Sequence, residues 1–278
     1  MPTCRQIDDI VKMKRNKMKK IVALAVVLFS VVVPVQANGA DSKSLVIIDS
    51  YFDSKVSGLN VSCIVVETKS SCTDVVTITN SSIGNNINHG NAMVEVAKRQ
   101  NPSIKIIALR SAPASSKSVA DVTPVMFIEA LKWVDSNSQN IGAVSFSRYF
   151  NSPSKPCMPS SSAPYTVDAA DAMIKSLISS LNSKGIQVFA SAGNTFGSTK
   201  IDYPACLSSV NAVTTPGFAD STSVKYSANL VRLPLIGDNF SSTLFKTIPL
   251  TTSSATASVA AQYVSVGSII GKPVKVTA

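Results

Sequence analysis

Short apolar runs separated by longer amphipathic stretches set the rhythm of this chain. The runs cover 45–49, 75–79, 104–109, 141–146, 186–190 and 210–214. Continuous apolar segments of that length suit strands buried on both faces. Between them, 90–99, 124–135 and 167–183 carry apolar residues three and four apart, in the last case at Ala169, Ala172, Met173, Leu177 and Leu181. These are amphipathic helices, and a final helix is expected over 252–264. Strand, helix, strand in repetition implies right-handed crossovers and a doubly wound α/β fold, a mostly parallel sheet with helices on both faces. The Ser/Pro-rich stretch 151–164 is the main long loop. No internal repeat or second boundary interrupts 38–278, which reads as a single domain.

The first 37 residues break this rhythm. Residues 11–20 are strongly basic, 21–35 are apolar, and Val35-Gln36-Ala37 places small residues where a signal peptidase reads them. Residues 1–37 are therefore expected to be a secretory signal peptide with a long basic lead, or with a start that truly falls at Met18. About fifteen apolar residues interrupted by Pro34 fall short of the roughly 20 a membrane span needs. The mature chain is expected to be secreted or periplasmic, off the membrane and monomeric. Cleavage after Ala37 leaves only a few residues before the first strand, so no inhibitory pro-domain is expected.

Composition sharpens this in three places. With 45% apolar and 15% charged residues, the chain can build one large core. Half of the net charge of +10 comes from the leader, where seven Lys/Arg face Asp8 and Asp9. The remaining lysines are scattered with no basic stripe interleaved with aromatics, so no nucleic-acid partner is expected. Outside the leader four cysteines remain, Cys63, Cys72, Cys157 and Cys206, an even number in an exported chain that suggests two disulfides. Three pairings are open; the one expected joins Cys63 to Cys72, closing a short local loop, and Cys157 to Cys206. Zinc is a poor alternative, because there is no CxxC pair and the chain has one histidine.

Four segments could carry chemistry. Asp49 ends the first apolar run, at the carboxyl end of a buried parallel strand, where open α/β sheets place their sites; a carboxylate there can equally be a loop cap. His89 is the sole histidine, so any imidazole base must be this one, although a histidine at a helix start is often only a surface residue. Asn194 closes the turn ASAGN after a buried strand, and its amide could donate to an oxyanion. Ser253 falls in the first turn of the last helix, where backbone N–H groups are free and the helix dipole favours negative charge; Ser and Thr are also the usual caps there.

These segments, in this order, resemble those of the subtilisin-like serine peptidases. VIIDS is similar to the family's first-strand Asp motif, NHGNAMVEVA to its His-Gly-Thr-His helix start, ASAGN to its oxyanion Asn motif, and TTSSATASVAAQYV to Gly-Thr-Ser-Met-Ala-Thr-Pro-His-Val-Ala-Gly. EALKWVDSNSQNIGAVSFS and DYPACLSSVNAVTTPG resemble the segments between, so the likeness spans about 45–264. It implies that Ser253 attacks the scissile carbonyl, His89 takes and returns its proton, and Asp49 orients the imidazole. Asn194 and the Ser253 N–H would hold the oxyanion. Peptide substrate would pair along the strand edge at Ser145, Phe146 and Ser147. A Cys in the long loop paired with one after Pro-Ala, as in some relatives, supports Cys157–Cys206. No cofactor and no metal site is assigned; calcium is implied by the resemblance alone, and no Asp-rich loop is present for it.

The motifs also depart from the family. Thr251 stands for the Gly before Thr-Ser, Ala257 for Pro, Asn91 and Ala92 for Thr and His, and Tyr51 for the Gly after Asp-Ser. Ser147-Arg148-Tyr149-Phe150 replaces Ser-Leu-Gly-Gly. A Cβ at Thr251 is expected to narrow the approach to Ser253. The expected function is a secreted serine endopeptidase; the alternative is an inactive member of the fold that binds peptides or a partner.

Overall fold

The computed structural model describes residues 43–49, 51–52, 61–69, 71–72, 86–111, 122–195, 200–215, 229–232, 239–241, 247–249, 251–268 and 272–274. The expected leader and the apolar run 75–79 lie outside them. Strands β1 (Ser44–Asp49), β2 (Val61–Val65), β3 (Lys105–Arg110), β4 (Ile141–Phe146), β5 (Gln187–Ser191), β6 (Asn211–Thr214) and β7 (Asn229–Arg232) are parallel. With β10 (Lys272–Val274), antiparallel to β7, they form an eight-stranded sheet in the order β10-β7-β6-β5-β4-β1-β3-β2. A separate hairpin pairs β8 (Asn239–Ser241) with β9 (Thr247–Pro249). The doubly wound α/β expectation is met.

Helices cover both faces. Alternation along β1 sends Leu45 and Ile47 to one core with Phe189, Val213 and residues of α1 (Asn86–Gln100) and α4 (Thr252–Val266). Val46 and Ile48 go to the other core, with α2 (Pro124–Ser136) and α3 (Val167–Ser183). All four β1 side chains are fully buried, as both-face coverage requires. Helices α2 and α3 start where Thr123 and Thr166 accept the N–H groups of Met126 and Ala169, which satisfies otherwise orphaned donors. Pro124 at the first position of α2 gives up an N–H that would be unpaired there anyway.

Helix α4 is built differently. Thr252 through Ala261 are all buried, and every one of them except Val259 is Ser, Thr or Ala. Such small side chains let the helix pass between the sheet and α1. Asp49 continues the parity of Leu45 and Ile47 and therefore faces this helix pair.

Strand β2 was not anticipated. Its apolar run Cys63-Ile64-Val65-Val66 is short and follows an exposed Ser62, and most of the strand is only half-buried, as befits an edge. The Cys63–Cys72 disulfide and the Cys72 N–H on the Cys63 carbonyl fold the segment after β2 back on it. Cys157–Cys206 ties the long loop to the segment before β6. Among the described residues no helix is long and apolar enough to cross a membrane.

Because Cys157–Cys206 closes a loop of 49 residues, its loss frees a large denatured ensemble. Replacing both cysteines with serine is expected to lower unfolding free energy by about 2–4 kcal/mol, read as a lower denaturant midpoint in non-reducing buffer.

Candidate active site

The chain runs from β1 outward to β2 and β3, then crosses to β4 on the opposite side of β1. This reversal opens a crevice at the carboxyl ends of β1 and β4, the usual position for a site in an open α/β sheet. Asp49 ends β1, Ser147 follows β4, and Asn194 lies three residues beyond β5. The N-terminal turns of α1 and α4 bring His89 and Ser253.

His89 reaches Asp49 because Gly90 lets α1 come down on the segment after β1. A Cβ at Gly90 would run into the Tyr51 carbonyl oxygen and lie 2.8 Å from Phe52 Cε1. His89 Nδ1 is 2.6 Å from Asp49 Oδ2. A carboxylate only accepts, so the ring proton sits on Nδ1 and the neutral imidazole keeps Nε2 as an acceptor. Asp49 is wholly buried, whereas the His89 side chain retains 15% exposure. The Asp49 backbone carbonyl is held as well, by the N–H and hydroxyl of Ser111. Arg148 Nε donates to the second carboxylate oxygen, Asp49 Oδ1, at 3.1 Å.

The first turn of α4 sorts its N–H groups. Thr252 N–H donates to Asn194 Oδ1 at 3.0 Å, and the Thr252 hydroxyl to the same oxygen at 2.7 Å. Ser254 N–H goes to the Thr251 hydroxyl and Ala255 N–H to the Thr251 carbonyl. Among the described residues the Ser253 N–H has no acceptor. Because Asn194 is engaged through its oxygen, its NH₂ end points away from α4 as a donor. Among the described residues the Ser253 N–H and the Asn194 NH₂ are the two donors left over at this helix start.

Ser253 Oγ itself donates to the Ser147 carbonyl at 3.3 Å, and Ser147 Oγ donates back to the Ser253 carbonyl at 3.2 Å. Among the described residues it makes no hydrogen bond with His89. Thr251 caps α4 in a capping box with Ser254, at φ −122°. That extended backbone is open to any residue, and the Thr251 side chain is turned onto the helix end. Ala257 is buried within α4, where it continues the helix that a proline would interrupt.

The strand-edge expectation needs correction. Ser145 and Phe146 belong to β4, between β1 and β5, opposite Ile47 and Ile48 on one side and Phe189 and Ala190 on the other. Their main chain is already paired, and Phe146 packs against Phe127 with ring centroids 4.2 Å apart. A peptide can pair only beyond them, from Ser147 onward. The Arg148 contact with Asp49 was missed; its only trace in the sequence is a basic residue where the family has Leu. Among the described residues no three His, Cys, Asp or Glu side chains converge.

No family model matches the sequence, and no curated protein matches it. Solved structures do match. The epidermin leader peptide processing serine protease of Staphylococcus aureus aligns with a TM-score of 0.54 at 13% identity, over 80% of this chain and 64% of its own. The chain has the subtilisin-like fold. The nisin leader peptidase of Lactococcus lactis aligns with a TM-score of 0.52 at 14% identity, over 81% of this chain and 77% of its own. Fervidolysin of Fervidobacterium pennivorans, a keratinolytic enzyme related to subtilisin, gives 0.50 at 14%, over 80% of this chain and 35% of its own. At these identities the likeness is one of fold, and the chemistry rests on the residues of this subtilisin-like chain.

Gly90→Ala tests how the site is assembled. The added methyl forces α1 away from Tyr51, at a cost of about 1–3 kcal/mol, and should lengthen the His89–Asp49 hydrogen bond. The low-field Nδ1–H proton resonance of the single histidine is expected in the parent protein and absent in the variant.

Proposed function

We propose that this chain is a serine peptidase that hydrolyses peptide bonds through Asp49, His89 and Ser253, with Asn194 Nδ2 and the Ser253 N–H as the oxyanion hole. The observation that carries this reading is the 2.6 Å bond from His89 Nδ1 to a fully buried Asp49, which fixes the tautomer a general base needs. In the reaction Ser253 Oγ adds to the scissile carbonyl as His89 Nε2 takes its proton, and Asp49 stabilises the imidazolium that results. The developing oxyanion accepts from Asn194 and Ser253. His89 then protonates the leaving amine, and water hydrolyses the acyl-enzyme by the same steps.

Ser253 must first leave the Ser147 carbonyl. An extended peptide pairing from Ser147 onward supplies an N–H for that carbonyl, and rotation about χ1 then turns the hydroxyl toward His89. The two disulfides favour an exported setting, which accords with the basic and apolar leader. The leader-peptide processing enzymes among the matched structures support a polypeptide as substrate.

The engagement of Ser253 with Ser147 also favours a second reading, a peptide-binding protein without turnover. Cleavage of a peptide library separates the two. The peptidase reading expects products that disappear with Ser253→Ala, and intact peptides with well-folded parent protein would overturn it. Asn194→Ala is expected to lower kcat by about 10²–10³ with little change in KM, since it removes a donor used in the transition state.

A further inference from the structure

Each carboxylate oxygen of Asp49 meets a nitrogen of a different side chain. His89 takes Oδ2, and Arg148 Nε, on the segment just after β4, takes Oδ1 at 3.1 Å. The carboxylate is 0% exposed and both partners are 15% exposed, so solvent screens little of the field inside this triplet. A buried carboxylate beside an imidazole favours the imidazolium, and a guanidinium on the same carboxylate opposes it.

We propose that Arg148 is a positioning residue that fixes the Asp49 carboxylate against His89 and offsets part of its charge. The inference deepens the peptidase reading, on which its catalytic consequence rests. The guanidinium holds the carboxylate in the rotamer that meets Nδ1, and its positive charge offsets part of the carboxylate's. The same charge weakens the stabilisation that Asp49 lends to the imidazolium as Ser253 gives up its proton.

Among the described residues, the other charged groups on the elements packed near His89 are few. Helix α4 has no charged residue. On β3, Arg110 lies opposite Asp49 in register, with its guanidinium 4.2 Å from the Tyr51 ring centroid, and its charge is common to the parent and every Arg148 variant. Lys105 is at the far end of the same strand. On α1 itself, Glu95 is buried more than a turn away, and Lys98 and Arg99 are in the last turn, with Lys98 Nζ on the Ile104 carbonyl.

The test uses the one histidine of the chain, whose ring Cε1–H signal can be followed by NMR through a pH titration in the full-length protein. Relative to the parent, Arg148→Met is expected to move the midpoint up by about one pH unit. Arg148→Gln, which keeps a donor for Asp49 without the charge, should move it in the same direction, and Arg148→Lys should stay near the parent. The acid limb of the peptide-cleavage rate should shift with the midpoint. A purely structural Arg148 would leave the midpoint of any folded neutral variant with that of the parent, and that result overturns the proposal. The NMR signal needs no turnover, so a parent protein without peptidase activity would count against the peptidase reading while the titration still decides the role of Arg148.

Discussion

Everything proposed for this molecule depends on one buried carboxylate. Asp49 ends a strand whose preceding four side chains are wholly buried, and it carries a charge into that environment without exposure of its own. An ionised carboxylate so placed is tolerated only when its oxygens are occupied. His89 and Arg148 occupy them, one from each side of the crevice between α1 and the segment after β4. The need to satisfy Asp49 thus fixes the ring orientation of His89, and through it the direction in which Nε2 can accept a proton.

The second half of the site follows from a different economy, that of a helix N-terminus. Four N–H groups at the start of α4 have no partners within the helix. The side chains of Ser254, Asn194 and Thr251 take those of Thr251, Thr252 and Ser254, and the one left over belongs to the residue whose hydroxyl is the candidate nucleophile. Asn194 becomes oriented by the same bonds, because accepting from Thr252 through Oδ1 leaves only its NH₂ to face the crevice. The Ser253 hydroxyl, resting on the Ser147 carbonyl, lies where a bound peptide would compete for its acceptor.

Much of this was readable in advance. The parallel strands of the sheet centre announce themselves as continuous apolar runs because both faces are covered, and the order of Asp49, His89, Asn194 and Ser253 along the chain put each at a strand end or helix start. What was not readable came from contacts without a local pattern. Strand β2 is half-exposed and is held by a disulfide, and its apolar run is only the four residues Cys63 to Val66. The placement of Ser145 and Phe146 at a peptide-binding edge failed because strand order is not visible in a run of apolar residues; β4 proves to have neighbours on both sides. Arg148 reads as a surface cation in sequence, and only the crossing from β3 to β4 brings it to Asp49. Thr251, expected to crowd Ser253, caps its own helix instead.

The most direct measurement is the intact mass of the folded protein after exposure to a fluorophosphonate, which reacts with a serine only when a base and an oxyanion hole activate it. A single adduct on Ser253 that is absent in His89→Ala is the predicted result. Unmodified protein with native folding would contradict an activated nucleophile at Ser253.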